Sequence, residues 1–253
     1  MDLNESYLKF YPELEKAGGL SNAINLELEK INSKFRYDGL EVSSSNKFSQ
    51  VDVAGQKKLF MTDFWRDGVC LAHGGTSNIS ELARAIDFWL SSDVSIEALK
   101  DKFKFVEANQ DAKAYDEERE VEYKWNRLLG SGLGLDEFIK VAIKDDLLTK
   151  LFPYTSLYTL RFSRCTGFPY SSADLPNVTQ KRYAVFAMEN YHKYRKENQN
   201  ENADQIFVVT RNGKEYLGEG SAEAALKIVR DNLPANIKPA IKGTAEDLIA
   251  GSE

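Results

Sequence analysis

The sequence predicts an α+β protein in which antiparallel β-meanders are each followed by a packing helix, with extra helices at the N-terminus and in the centre. Three observations carry that expectation. Apolar residues alternate with a period of two through Phe48, Val51, Val53, Leu59, Met61, Trp65, Val69 and Leu71, and the pattern returns from Ile206 to Thr210. Each region holds a two-residue turn signal, Asp67-Gly68 and Asn212-Gly213, which suits a tight primed hairpin because Gly takes positive φ freely. Each then runs through glycines into a stretch of helical periodicity.

Taken in order, the first 35 residues read as two helices separated by Gly18-Gly19, with Ser21 capping the second. Tyr7, Phe10, Tyr11 and Leu14 mark the buried stripe of the first, and Ile24, Leu28 and Ile31 that of the second. The first meander ends at His73-Gly74-Gly75, where Asn78 and Glu81 form a capping box for a helix that buries Ile79, Leu82, Ala83, Ile86 and Trp89. A charged helix is expected over Asp116 to Leu129 and another over Leu135 to Leu151. Strands are expected at Thr155 to Cys165, Tyr183 to Met188, Ile206 to Thr210 and Glu215 to Leu217. A helix opened by Ser221 and closed by Pro234 follows, and Asn190 to Asp204 reads as a polar insertion. The expected organisation is one compact domain over residues 1-234, with two lobes (1-108 and 109-234) as the alternative division, and a loosely ordered tail over 235-253.

Composition excludes several classes of function. A net charge of -6 and a pI near 5.2 argue against a general phosphate-backbone binder, whose footprint is basic. No apolar stretch of about 18 residues occurs, so no membrane partner is expected and the chain is expected to be cytoplasmic. The two cysteines, Cys70 and Cys165, lie in apolar runs and are expected to be free buried thiols. With two His and two Cys at unrelated positions, no zinc spacing exists; no metal and no cofactor are expected.

The segment richest in chemical possibility is Arg161-Phe162-Ser163-Arg164-Cys165-Thr166-Gly167-Phe168-Pro169-Tyr170. In a strand, Arg161, Ser163 and Cys165 share one face and Phe162 and Arg164 the other. The segment reads as an Arg-flanked thiolate, an anion clamp or an aromatic platform, against the plainer reading of a core strand overlaid by arginine stems. The plainer reading carries roughly three times the weight of the functional ones. Ligand-binding candidates are Arg161, Arg164, Phe168, Tyr170 and Trp65. The sharpest catalytic candidate is Cys165 with His73 as its base, since His73 sits at a strand-to-helix turn; no spacing rule joins the two, and no catalytic activity is expected on balance. The Gly74-Gly75-Thr76-Ser77-Asn78 loop is no phosphate-binding motif and reads as a tight entry into a helix.

The run Leu151-Phe152-Pro153-Tyr154-Thr155-Ser156, followed by Leu160 to Tyr170, resembles the signature of an uncharacterised bacterial family of unknown function labelled as natural-product biosynthesis proteins. Trp65 to Val69, Leu82 to Ala85 with Trp89, Trp125, Gly218-Glu219 and Leu233-Pro234 echo the same pattern, so the resemblance covers about Phe60 to Pro234. It implies a natural-product context and assigns no catalytic residue. Three functions follow as expectations. The first is a non-enzymatic accessory or protein-binding module. The second is a small-molecule-binding or modifying protein with its pocket near Arg161, Arg164 and Phe168. The third, placed last by the acidic pI, is single-stranded nucleic-acid binding through the same strip with Lys181 and Arg182.

Overall fold

The computed structural model describes residues 9–91, 93–194 and 203–250. The fold is α+β, with two five-stranded antiparallel sheets whose strand order follows chain order. The chain divides into two compact units, Met1–Glu118 and Arg119–Glu253.

In the first unit, helices α1 (Pro12–Ala17) and α2 (Leu20–Lys30) precede strands β1 (Glu41–Ser44), β2 (Lys47–Val53), β3 (Phe60–Arg66) and β4 (Val69–Thr76). Helices α3 (Ile79–Ser91) and α4 (Ile96–Lys102), strand β5 (Val106–Ala108) and helix α5 (Ala112–Asp116) complete it. Asp67 and Gly68 both take positive φ, as the primed turn between β3 and β4 requires. The inner face of the sheet presents Val51, Phe60 and Phe64 to Ile24, Leu28, Leu82, Ile86 and Trp89. Burying each of those rings contributes roughly 2–3 kcal/mol before conformational entropy is counted. Tyr11 anchors α1 from its far end: its hydroxyl lies 2.7 Å from the Ala54 carbonyl and accepts from Leu59 N at 3.1 Å.

Two helix starts differ from expectation. The cap of α2 is Gly19, which has no side chain to accept from the first-turn N–H groups, and Ser21 lies inside the helix. Asn78 Oδ1 does accept from Ser80 N and Glu81 N, while the Glu81 carboxylate takes the Thr76 hydroxyl at 3.0 Å. Tyr7 lies outside the described residues.

The second unit runs α6 (Glu120–Leu128), α7 (Asp136–Ala142), β6 (Phe152–Ser156), β7 (Thr159–Ser163), β8 (Pro176–Gln180), α8 (Ala184–Ala187), β9 (Phe207–Arg211), β10 (Glu215–Gly220), α9 (Ala222–Asp231) and α10 (Ala245–Ala250). Leu160, Phe162, Val178, Phe207 and Val209 line one face of its sheet and pack with Trp125, Phe138, Ile139, Ala225 and Val229. Ser221 caps α9 by accepting from Ala224 N.

Several expected elements are corrected. The strand expected over Thr155 to Cys165 is a hairpin, β6–β7, turning at Leu157, which holds φ 54° without the usual Gly or Asn. Residues Tyr183 to Met188 are not a strand: a 3-10 turn (Lys181–Tyr183) leads into α8, because the alternating apolar side chains flank a short turn instead of a ladder. The third strand of this sheet is β8, whose Pro-Asn-Val-Thr-Gln sequence lacked an apolar alternation. The central helices are shorter than expected: positive φ at Glu118 separates α5 from α6, and α7 ends at Ala142 before a 3-10 turn at Leu148–Lys150. Of the expected polar insertion, residues 195–202 lie outside the described residues, and Tyr191 within it is buried. In the stretch after Pro234, Ile241 N bonds to Arg164 O at 2.9 Å and Ala240 N to Lys150 O at 2.8 Å.

Candidate functional site

The second face of the β6–β10 sheet gathers several of the sequence candidates. Register sets the layout: Tyr154 pairs with Arg161, Leu160 with Val178, and Asn177 with Thr210. One residue beyond the Leu160–Val178 pair stand Arg161 and Asn177, so Tyr154, Arg161, Asn177 and Thr210 form one row across β6 to β9. Thr159 and Thr179, one pleat away on the same face, share a hydrogen bond of 3.0 Å between hydroxyls.

Aromatic rings close one side of this row. Tyr170 stacks on Tyr154 with centroids 4.2 Å apart and meets Phe168 edge-on at 5.9 Å. Phe168 itself is 67% exposed, while the Tyr154 hydroxyl bonds Ser172 Oγ at 2.8 Å. Thus Arg161, Phe168 and Tyr170, separated by up to nine positions in sequence, are brought together by the hairpin and the loop that follows β7.

The two arginines differ sharply. Arg164 forks onto Asp174, with Nη1–Oδ1 and Nη2–Oδ2 both at 2.7 Å, and this hydrogen-bonded cation holds the Asp174 carboxyl below its ordinary range. Arg161 forms no ion pair among the described residues, and its Nε is buried without a hydrogen-bond partner. Asn177 Oδ1 and Thr210 Oγ1 are buried and unpartnered in the same row. Sequence reasoning missed both: Asn177 lies in β8, a polar strand that periodicity did not flag, and Thr210 ends the apolar run of β9, which was read as core alone.

The catalytic candidates sit in different surroundings. Cys165 is fully buried; its Sγ accepts from Ser171 N at 3.3 Å and lies 3.4 Å from Ser163 Oγ. A thiol so enclosed is structural in character. His73, in the other unit, is half exposed, with Nδ1 3.0 Å from Asn109 Oδ1 and Nε2 3.6 Å from Glu107. It belongs to a cross-strand row of Glu41, Gln50, Asp63, His73 and Glu107 spanning β1 to β5. Trp65 stacks on Phe48 at 5.2 Å beside that row, and burial with the nearby Asp63 charge pushes the Cys70 thiol up. This unit also has a cleft of about 910 Å³ lined by Leu14, Gly19, Tyr37, Val51, Asp52 and Asp63 among others.

Of the strip proposed for nucleic acid, Arg164, Lys181 and Arg182 have their charge met by Asp174, Glu219 and Asp204, which leaves Arg161 as its one cation without an ion pair among the described residues. Among the described residues no group of three or more His, Cys, Asp or Glu is placed to hold a metal ion, and no helix is long and apolar enough to cross a membrane.

Residues 119–206 match a family described as a family of unknown function (DUF6193), a stretch that contains Arg161, Phe168, Tyr170 and Asn177 but ends before Thr210. No curated protein and no solved structure matches the chain.

Proposed function

We propose that this protein binds a small aromatic acid on the second face of its β6–β10 sheet. The observation that carries the reading is Arg161, a guanidinium without an ion-pair partner among the described residues and with a buried, unbonded Nε, standing beside the Tyr154–Tyr170–Phe168 rings. A planar fork of donors matches a carboxylate or phosphate in two parallel hydrogen bonds. Stacked rings add a flat apolar wall for an aryl group. A ligand of this kind accords with the natural-product context that the sequence resemblance implies. Binding without turnover is the reading, because the buried Cys165 thiol nearby is enclosed by its contacts with Gly167 O, Pro169 O and Ser171 N.

Phenyl phosphate is a direct probe, with benzylammonium as its cationic counterpart. Titrated against the amide spectrum of the full chain, phenyl phosphate is expected to shift residues Leu160–Ser163, Gly167–Ser172, Asn177 and Thr210 saturably, and benzylammonium is not. Absence of saturable shifts at those positions up to about 10 mM, a range that covers binding weaker than 4 kcal/mol, removes the proposal.

A second reading, docking of a protein partner, is favoured by a separate exposed patch. Leu157, Val185 and Phe186 are 76%, 55% and 68% exposed, and Tyr158 stacks on Tyr183 at 4.0 Å among them. Clustered apolar side chains of this size are uncommon on surfaces that meet only water. Replacing Leu157 and Phe186 by Ser in a tagged chain is expected to abolish co-purification of a host protein; unchanged co-purification sinks this reading.

A further inference from the structure

The cleft of about 910 Å³ in the first unit takes no part in the Arg161 reading. Its volume falls within the range of about 300–1,000 Å³ that holds small molecules. Leu14, Leu20, Leu40, Val51 and Met61 supply apolar walls, and Leu40 at its rim is 78% exposed. Glu15 of α1, Asp52 of β2 and Asp63 of β3 bring carboxylates to it from three separate elements. No Lys, Arg or His stands among the described residues that line it.

Register sets two of these carboxylates near one another. Asp52 pairs with Met61 and Gln50 with Asp63, so Asp52 and Asp63 are diagonal neighbours about 7–8 Å apart, on the face of the sheet opposite Val51, Phe60 and Phe64. Elsewhere in this unit carboxylates are met by a cation one helical turn away, as Glu27 is by Lys30, Glu97 by Lys100 and Glu117 by Lys113. Lys58, in the loop between β2 and β3, is engaged by Glu13 at 2.6 Å. Glu15, Asp52 and Asp63 form no ion pair among the described residues. Their field reaches the groups around them: burial and then the Asp38 and Asp52 charges push the Tyr37 hydroxyl up, and burial and then Asp63 push up the Cys70 thiol. Like charges gathered without a counter-ion repel, and an incoming cation relieves that repulsion.

The lining also selects among cations. A hard divalent ion needs several oxygen ligands converging on one point, and no such group occurs among the described residues. A single ammonium answers one carboxylate and leaves the others unmet. A chain of ammonium groups joined by methylenes answers several at once, its methylenes lying along apolar walls as lysine stems do on protein surfaces. We infer that this cleft is a binding site for a linear aliphatic polyamine, whose ammonium groups are held by Asp52, Asp63 and Glu15 and whose methylenes lie against Leu14, Leu40 and Met61. The site stands independently of the Arg161 reading.

The test titrates spermine into the full chain by calorimetry, with amide spectra recorded in parallel and Mg²⁺ at matched ionic strength as the control cation. Saturable binding is expected, with shifts confined to Gly18–Asn22, Gly39–Leu40, Gln50–Val53 and Met61–Asp63, and no saturable shift is expected with Mg²⁺. A net charge of -6 attracts any polycation loosely, so localisation is decisive. Asp63→Asn is expected to weaken spermine binding at least about fivefold, while Glu107→Gln, which removes a carboxylate of the same sheet outside the cleft, stays within about twofold of the parent. Asp52→Asn keeps an oxygen that accepts from Val53 N, so it is expected to melt with the parent and to weaken spermine as Asp63→Asn does. Shifts spread over the acidic surface, saturation by Mg²⁺ at the same residues, or equal losses in Asp63→Asn and Glu107→Gln overturn the inference. Failure of spermine to saturate up to about 10 mM does so as well, and each of these results leaves the Arg161 reading standing.

Discussion

Lys47, Arg66, Arg164 and Arg161 each bring a cation to a buried or half-buried position, and the first three have their charge met locally. Lys47 is 7% exposed and lies over the Trp89 ring at 4.1 Å. Arg66 reaches Asp116 at 3.0 Å, and the other oxygen of Asp116 accepts from Ile96 N, so one carboxylate ties β3 to the start of α4. Arg164 forks onto Asp174. The same chemistry makes the solitary Arg161 conspicuous, since charge that is half withdrawn from water is retained only where something offsets it. Lys47 gives a pH-dependent prediction. Burial first, and then the Arg66 charge, push its pKa below the ordinary lysine value. Between that lowered value and the unfolded one of about 10.4, the unfolded chain binds more protons, so stability rises with pH across the window. Lys47→Met removes the effect. Its melting temperature at pH 7 is expected to equal or exceed that of the parent, and the difference is expected to shrink as the pH approaches about 10 in paired thermal melts.

At the scale of elements, glycine geometry supplies the sharpest expectation. A Cβ on Gly74 of β4 meets the Phe105 carbonyl oxygen at 2.8 Å and its ring at 2.9 Å. This is the point where β5 joins the sheet, Gly74 pairing with Val106. Gly74→Ala is expected to destabilise the chain by about 1–3 kcal/mol in denaturant unfolding, because backbone and not a flexible side-chain end has to move. Indifference to the change contradicts the close approach of β4 and β5. The sequence announced β3–β4 and β9–β10 through Asp67-Gly68 and Asn212-Gly213, where turn chemistry is local and written in two residues. It did not announce β6–β7, because Leu157 adopts positive φ without any residue preference for it, at a conformational cost that its neighbours meet. Strand β8 escaped for a related reason: in Pro-Asn-Val-Thr-Gln the alternate positions Asn177 and Thr179 are polar though buried, so only Val178 reads as core and no apolar alternation marks the strand. The candidate site was legible to the extent that Arg161, Phe168 and Tyr170 share one segment. Asn177 and Thr210 joined it only through strand pairing, which one-dimensional spacing does not encode.

Across the whole molecule, both units follow a common order: two helices, a sequential antiparallel meander, a primed-turn hairpin and an amphipathic helix after it. They depart from one another at the ends, since the first unit adds β5 after α3 whereas the second unit's sheet ends at β10. Shared packing logic accounts for the likeness, because a meander with one apolar face needs a helix to cover it. Among the described residues the second unit joins to that logic a guanidinium without an ion-pair partner, stacked tyrosines and buried polar atoms on the opposite face of its sheet. The central claim is therefore that Arg161, and not Arg164 three residues away, is a ligand-binding cation. Dissociation constants of phenyl phosphate for the full chain, Arg161→Met and Arg164→Met measure it most directly. Arg161→Met is expected to weaken binding at least about tenfold, the loss typical of a charge-assisted hydrogen bond, while Arg164→Met, which breaks only the fork onto Asp174, stays within about threefold of the parent. Equal losses in the two variants, or unchanged binding by Arg161→Met, contradict it.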